Sequence, residues 1–105
     1  MKVEFYGVYR LSIGKKTVEL ELVPDATIFD ALETITQRYP ILQNEMFDQS
    51  GNLYPFQPLY INGRNPRLLT NGLHTVVKSD DVLCIFSPIS SGRINVEDVN
   101  KAQNS

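Results

Sequence analysis

The chain has too few metal-binding and redox-active side chains to build most catalytic centres. Its 105 residues include one cysteine, Cys84, and one histidine, His74. A single thiol cannot form an internal disulfide, a four-thiolate iron–sulfur site or a structural zinc site. His74 lies in a turn-like segment without a second ligand or general base nearby in sequence, so we interpret it as a solvated loop residue. Because the sequence also contains no nucleophile–base pair or phosphate-binding loop, it predicts a protein that is not an enzyme and binds no metal or cofactor.

Charge and hydropathy argue against two further classes of partner. The formal net charge is −2 and the basic residues form no run, whereas nucleic-acid binding needs a concentrated positive field. No apolar segment approaches the roughly 18–20 residues that span a bilayer. Glu4 also interrupts the segment in which a signal peptide would be apolar. We therefore expect a soluble cytoplasmic protein that binds neither nucleic acid nor membranes.

The N-terminal segment shows the alternation of two half-buried strands. The apolar positions are Val3, Phe5, Val18, Leu20 and Leu22. Residues 12–15 suggest a turn between the two runs. We interpret the pair as an antiparallel hairpin that opens the fold.

An amphipathic helix of about three turns is predicted next. Thr27 followed by Asp30 fits an N-cap with an acidic residue near the positive end of the helix, and Pro40 ends the run. The apolar positions at helical spacing are Ile28, Ala31, Leu32, Ile35 and Tyr39. We expect this helix to lie across the aliphatic face of the hairpin.

Two strands are predicted in the second half of the chain. Leu59–Ile61 is a short strand that ends at Asn62 and Gly63, a dipeptide suited to a tight turn. Val82–Phe86 is apolar on both faces, as expected for a strand that is paired on both sides. Since a helix can be buried only on one face of such a sheet, the element order predicts an α+β fold of the β-grasp (ubiquitin-like) type, with a mixed sheet packed on one main helix. The chain length fits one domain.

The face of the sheet away from the helix carries a candidate partner-binding patch. If Leu83 and Ile85 face the helix, Cys84 and Phe86 lie on the open face near Tyr6. Aromatic side chains on a solvated face form a good docking surface, although the rings of Tyr6 and Phe86 could also simply shield the sheet. Cys84 has no adjacent histidine or basic residue, so we interpret it as a small buried apolar filler and not as a nucleophile.

The last predicted strand continues into an arm of mostly small residues. The arm consists of Pro88, Ile89, Ser90 and Ser91 and ends at Gly92. A strand that delivers such an arm to solvent is the layout of a carrier protein whose chemistry takes place at its own chain end. Thirteen more residues follow, so we divide the chain into a domain with its arm, 1–92, and a polar tail, 93–105, that is disordered or removed. Candidates for polar contacts around the arm are Arg10, Arg64 and Arg67, with solvated arginine side chains as the more frequent alternative.

Several segments together resemble the MoaD/ThiS family of ubiquitin-like sulfur carriers, and its MoaD-like members in particular. They are VEFYGVYR at 3–10, ATIFDAL at 26–32, RYP at 38–40, YINGR at 60–64, DDV at 80–82 and IFSPI at 85–89. No single segment is decisive, but their order and spacing are specific. The resemblance covers about residues 2–92.

The resemblance implies a carrier without a catalytic site of its own. An adenylating enzyme of the ubiquitin-activating type (MoeB-like) would use ATP to adenylate the C-terminal glycine, and sulfur would then replace AMP to leave a thiocarboxylate. The large subunit of molybdopterin synthase (MoaE-like) would receive this arm during synthesis of the molybdenum or tungsten cofactor. The resemblance also implies that the open sheet face contacts both partners. A ubiquitin-like protein modifier, or an interaction module that is never activated, remains an alternative.

Two features depart from the family pattern. Gly92 aligns with the terminal glycine, but Ser91 replaces the usual glycine before it, and its Cβ should hinder threading into a narrow enzyme channel. While residues 93–105 are attached, Gly92 has no free carboxylate. A carrier role therefore requires a protease that removes the tail.

Overall fold

The computed structural model describes residues 1–88. Within this range the strands are β1 (Lys2–Tyr6), β2 (Thr17–Glu19), β3 (Leu59–Ile61) and β4 (Val82–Phe86). The α-helices are α1 (Val8–Ile13), α2 (Ile28–Arg38) and α3 (Gln43–Met46), and short 3-10 helices occur at Pro40–Leu42, Pro66–Leu68 and Gly72–His74. Ile89, Ser90, Ser91, Gly92 and the tail 93–105 lie outside the described residues, as does the predicted boundary after residue 92.

The strands form one mixed sheet in the order β2-β1-β4-β3. β1 pairs antiparallel with β2 and parallel with β4, and β3 pairs antiparallel with β4. β4 is therefore paired on both sides, as its apolar composition predicted. In the parallel pair, Lys2 lies opposite Val82 and Tyr6 opposite Phe86. The C-terminal ends of β1 and β4 therefore lie side by side, and the chain leaves β4 at that end of the sheet.

α2 is the main helix, and a capping box fixes its first turn. The Thr27 hydroxyl accepts a hydrogen bond from the Asp30 backbone N–H at 3.1 Å, and the Asp30 carboxylate accepts one from the Thr27 N–H at 2.9 Å. This geometry confirms the predicted N-cap. Side chains of α2 and the two central strands share one buried cluster, which includes Ile28, Ala31, Leu32, Ile35, Val3, Phe5, Leu83 and Ile85. The predicted α+β architecture, a mixed sheet packed on one main helix, is confirmed.

The connection between the first two strands differs from the prediction. β1 and β2 pair antiparallel as expected, but α1 joins them instead of a turn at residues 12–15. Gly7 ends β1 with a φ of +72°, and Gly14 ends α1 in the left-handed conformation, where its N–H donates to the Arg10 carbonyl at 2.9 Å. Tyr9 is the buried residue of this helix. A short helix that buries one side chain has no periodic pattern, which explains the wrong prediction.

The second strand is also shorter than predicted. β2 ends at Glu19, and although Leu20 is buried, Leu22 is only half-buried and lies outside the strand. The Leu20 N–H donates to the Met1 carbonyl at 2.8 Å, and the Met1 ammonium donates to the Leu20 carbonyl at 2.8 Å. The hydrogen bonds between β1 and the second strand end at the pair of Met1 and Leu20. The apolar alternation of the sequence continues to Leu22 and therefore extends beyond the strand.

The predicted tight turn after β3 is confirmed. Asn62 and Gly63 both have positive φ values, 50° and 79°. Ile61 and Arg64 exchange backbone hydrogen bonds of 2.8 and 2.9 Å across them. These are the dihedral requirements for which the Asn-Gly dipeptide is suited.

The described helices are too short or too polar to cross a membrane. Residues 1–88 likewise contain no group of three or more histidine, cysteine or acidic side chains arranged to hold a metal ion. His74 is exposed at the end of the 3-10 helix Gly72–His74. This position agrees with its interpretation as a solvated loop residue.

Candidate functional site

Aromatic rings line the sheet face opposite the buried cluster. Tyr6 and Phe86 stack with their centroids 4.5 Å apart and their planes at 11°, because the parallel register places them side by side. Tyr60 meets Phe86 edge-on at 5.7 Å. Its antiparallel register places Tyr60 opposite Cys84. We call Tyr6, Tyr60, Cys84 and Phe86 the aromatic surface. Tyr60 is its most exposed ring, at 41%.

Glu4 connects two members of the aromatic surface. Its Oε1 atom accepts a hydrogen bond from the Tyr6 hydroxyl at 2.8 Å and one from the Cys84 thiol at 3.6 Å. The bond from Tyr6 lowers the pKa of the Glu4 carboxyl, and the same bond raises the pKa of Tyr6. Lys16 lies with its Nζ 5.5 Å from the centre of the Tyr6 ring, a cation–π distance. The surface therefore presents apolar rings beside one ionised acid and one ammonium group.

Cys84 differs from its predicted role as a buried filler. It is only half-buried, and its thiol donates to Glu4. Burial raises the pKa of the Cys84 thiol, and the negative charge of Glu4 raises it further. The thiol therefore stays protonated at neutral pH, a state that is a poor nucleophile. The surface offers Cys84 as a contact residue and not as a reactive group.

The base of the arm is attached to β1 and α1. The Ser87 N–H donates to the Tyr6 carbonyl at 3.2 Å, which extends the parallel ladder by one bond. The Ser87 Oγ atom accepts a hydrogen bond from the Val8 N–H at 2.9 Å. That N–H is one of the donors that the first turn of a helix leaves without an intrahelical partner, so Ser87 caps α1 from a distant part of the chain. The next residue, Pro88, is half-buried.

A buried amide side chain also contacts the end of β4. Gln57 is fully buried, and its Nε2 atom donates to the Phe86 carbonyl at 2.7 Å and to the Pro58 carbonyl at 3.0 Å. Its Oε1 atom accepts a hydrogen bond from the Tyr9 hydroxyl at 2.9 Å. Arg67 donates to the Gln57 carbonyl and to the Tyr54 carbonyl, both at 2.9 Å. α1, the loop before β3 and the end of β4 are thus joined through hydrogen bonds.

A groove of about 340 Å³ opens beside the base of the arm. It lies next to the stacked pair of Tyr54 and Phe56, whose ring centroids are 4.8 Å apart, and Phe56 is exposed. Its lining consists of Val8, Tyr9, Asn44, Glu45, Tyr54, Phe56, Ser87 and Pro88. The last described residues of the chain therefore form one wall of this groove.

The structure brings together three of the predicted site residues. Tyr6, Cys84 and Phe86 share one surface, and Pro88 lies at the base of the arm. Their roles in binding remain predictions. Arg67 donates to two backbone carbonyls in the loop before β3, and Arg10 and Arg64 are exposed. Contacts of these arginines with the arm beyond Pro88 stay predictions. Ile89, Ser90, Ser91 and Gly92 lie outside the described residues.

Sequence reasoning missed three residues of this region. Tyr60 could have been found, because alternation in β3 places it on the face opposite Leu59 and Ile61, which are buried. Alternation in β1 places Glu4 on the face opposite Val3 and Phe5, but its contact with Cys84 depends on the parallel pairing. Gln57 gave no local signal, since its partners Tyr9 and Phe86 are 48 and 29 positions away.

The mixed sheet, its main helix and the interior position of β4 define the class of ubiquitin-like β-grasp proteins. Within that class the chain belongs to the family of small archaeal modifier proteins. It is 30% identical to small archaeal modifier protein 1 of Haloferax volcanii over 79 residues, which cover 75% of this chain and 85% of that relative. No protein-family model matches the chain.

Two solved structures support the placement in the ubiquitin-like class. The solution structure of small archaeal modifier protein 1 from Methanosarcina acetivorans has a TM-score of 0.69 and 31% identity, covering 87% of this chain and 94% of that chain. A putative molybdopterin converting factor, subunit 1, from Pyrococcus furiosus has a TM-score of 0.65 and 25% identity, covering 83% and 94%. The resemblance to ThiS/MoaD-like ubiquitin-like proteins is therefore confirmed.

Proposed function

We propose that this chain is a MoaD-like sulfur carrier that works through a thiocarboxylate on Gly92. The observation that carries the proposal is the route of the chain at the end of β4. The strand lies in the interior of the sheet, its end is attached through Phe86 and Ser87, and the sequence then runs through Ile89, Ser90 and Ser91 to Gly92. A rigid body attached to a short arm of mostly small residues reduces the entropic barrier to placing the arm's end in a partner's active site.

The proposed chemistry begins with hydrolysis of the bond between Gly92 and Arg93 by a protease, which frees the Gly92 carboxylate. One carboxylate oxygen attacks the α-phosphorus of ATP, pyrophosphate leaves, and an acyl-adenylate forms. A hydrosulfide-type sulfur donor then attacks the acyl carbon, AMP leaves, and a thiocarboxylate remains. ATP is bound by a MoeB-like adenylating enzyme of the ubiquitin-activating type. The carrier itself contributes no catalytic group and binds no cofactor.

The proposed acceptor of the sulfur is a MoaE-like large subunit of molybdopterin synthase. The likeness to the Pyrococcus furiosus molybdopterin converting factor subunit supports this choice, together with the MoaD-like segments of the sequence. The same pathway places the carrier in the cytoplasm, where ATP is available to its activating enzyme.

Intact-mass spectrometry of the protein purified from its native cells tests this proposal. We expect a species that ends at Gly92 and a second species whose mass corresponds to replacement of one carboxylate oxygen by sulfur. Alkylation should label the second species at its C-terminus. Recovery of the full-length mass alone, with neither shorter species, would contradict the carrier role.

A protein-modifier role is the second candidate, and the relatives favour it. Small archaeal modifier proteins 1 and 3 of Haloferax volcanii are 30% and 25% identical to this chain. In this role a lysine amine would attack the acyl carbon of the Gly92 adenylate, so that an isopeptide bond forms while AMP and a proton leave. Digestion of native conjugates should then give lysine residues joined to a Gly92-terminated peptide. Carrier-only function predicts thiocarboxylate without such branched peptides.

The aromatic surface is the proposed contact with the activating enzyme. Because truncating a central aromatic anchor commonly costs about 2 kcal/mol or more, Phe86→Ala should weaken binding by more than about tenfold. Leu68→Ala is the matched control, since Leu68 is 83% exposed and lies outside the aromatic surface. Titration calorimetry of each folded variant with the enzyme measures the change. Equal affinities for the two variants would show that the enzyme docks elsewhere.

A further inference from the structure

The β3–β4 ladder lacks one backbone N–H donor at the end of the sheet from which the arm leaves. β3 and β4 pair with Leu59 opposite Ile85, so the next antiparallel pair beyond the strand end is Pro58 with Phe86. In a hydrogen-bonded pair of this kind each residue donates to the other. The Phe86 N–H donates to the Pro58 carbonyl at 3.2 Å. Proline has no N–H, so it cannot return the second bond to the Phe86 carbonyl.

The Gln57 side chain supplies that missing bond. Its Nε2 atom lies 2.7 Å from the Phe86 oxygen, where the N–H of residue 58 would otherwise donate. The Tyr9 hydroxyl donates to Gln57 Oε1, which fixes the amide so that its nitrogen faces the carbonyls. Arg67 holds the Gln57 backbone carbonyl at 2.9 Å. Both the side chain and the backbone of Gln57 are therefore fixed.

The bond acts on one particular peptide unit. The carbonyl of Phe86 and the N–H of Ser87 belong to the same planar group. Gln57 holds its carbonyl, and the Tyr6 carbonyl accepts from its N–H at 3.2 Å on the other side. With both ends held, this plane resists rotation, so the orientation of the peptide unit from which the arm starts is fixed.

We propose that Gln57, oriented by Tyr9, is a positioning residue that fixes the direction in which the arm leaves the sheet and so presents Gly92 to the adenylating enzyme. The inference rests on the proposed function. Burying an amide costs free energy unless every polar atom is bonded, and a residue with an N–H at position 58 would pair with Phe86 without it. The amide therefore does more than fill space: it keeps the ladder intact at a proline.

Loss of this bond should lower the rate of adenylation more than the affinity. The aromatic surface stays intact, so docking of the body is retained, whereas the end of the arm samples more directions. A displacement of about 1 Å at a reacting group can cost on the order of a hundredfold in rate. For Gln57→Met, in a chain that ends at Gly92, we expect kcat for adenylation to fall about tenfold with KM for the carrier unchanged. Such a chain keeps the whole buried cluster, which lies between Met1 and Ile85.

A rescue variant separates positioning from general stability. Replacing Pro58 with valine in the Gln57→Met background restores a backbone N–H opposite Phe86, and kcat should recover. Thr36→Val is the matched control: Thr36 is buried on α2, and its hydroxyl donates to the Glu33 carbonyl at 3.0 Å. This variant should keep the parent kcat. Tyr9→Phe, a milder change, should lower kcat less than Gln57→Met does. In the full chain, amide hydrogen exchange at Ser87 should accelerate in Gln57→Met and return toward the parent rate with Pro58→Val.

Three results would overturn the inference. The first is a folded Gln57→Met variant whose kcat equals that of the parent. The second is a fall in kcat that Gln57→Met and Thr36→Val show to the same extent. The third is a rescue variant in which slow exchange at Ser87 returns but kcat does not. If Gln57→Met does not fold, Tyr9→Phe decides the question, and an unchanged kcat counts against positioning. Failure of the parent chain ending at Gly92 to be adenylated would instead refute the proposed function, whatever the variants do.

Discussion

A chain that ends at Gly92 should be adenylated by its activating enzyme, whereas the 105-residue chain should give no acyl-adenylate under the same conditions. Adenylation needs a free carboxylate as the nucleophile, and in the longer chain the Gly92 carbonyl is part of the peptide bond to Arg93. The C-terminal carboxylate of Ser105 is separated from the body by thirteen more residues that include bulky Arg93 and Ile94. We therefore expect the adenylation rate of the 105-residue chain to lie below the detection limit of the assay. ATP–pyrophosphate exchange measures the first step, and intact mass detects the product.

The controls for this experiment concern the end of the arm. A chain that ends at Ser91 is one residue too short for the channel and has a Cβ at the reacting position, so its exchange rate should be near background. Ser91→Gly in the chain that ends at Gly92 should leave the rate equal or raise it. Adenylation of the full-length chain at a comparable rate would contradict both the proposed site and the need for a protease.

Most of the fold could be predicted because its signals are local. Alternation marked β1, a continuous apolar run marked β4, and a Thr27–Asp30 pair followed by apolar residues at helical spacing marked α2. α1 gave no such signal, since Val8 and Leu11 are exposed and only Tyr9 of this helix is buried. Its existence depends on two glycines with positive φ and on a cap from Ser87, which is 79 positions away from Val8.

In the candidate site, too, only the features with a local sequence signal could be predicted. The stacking of Tyr6 on Phe86 could be predicted from which face each residue takes, because both lie on the open face of neighbouring strands. The hydrogen bonds of Glu4 and Gln57 could not, because they depend on the strand register and on the missing N–H of Pro58. The face of the sheet that a side chain takes follows from the alternation along its strand, whereas its hydrogen-bond partners depend on the tertiary structure.

Gly7→Ala should be among the most destabilising single substitutions near the arm. Gly7 has φ 72° and ψ −142°, a region that is essentially restricted to glycine, and a side chain there costs about 1–3 kcal/mol in strain. A Cβ at this position would also overlap the Ser87 Oγ atom. The Ser87 side chain must then rotate and lose the hydrogen bond from the Val8 N–H, which costs about 0.5–1.5 kcal/mol more. Since about 1 kcal/mol shifts Tm by about 4–8 °C in a domain of this size, we expect a fall of more than about 10 °C by calorimetry.

Gly14→Ala is the matched control, because Gly14 has a similar φ of +80° but no atom within 4 Å of an added Cβ. Gly14→Ala should be destabilised only by the strain of a side chain in the left-handed conformation, about 1–2 kcal/mol. A double-mutant cycle then isolates the contact between residue 7 and Ser87. In a Ser87→Ala background the hydroxyl is gone, so Gly7→Ala should cost less than it does in the parent chain. Equal costs in the two backgrounds would mean that the backbone conformation alone requires glycine at position 7, and that steric contact with Ser87 contributes nothing.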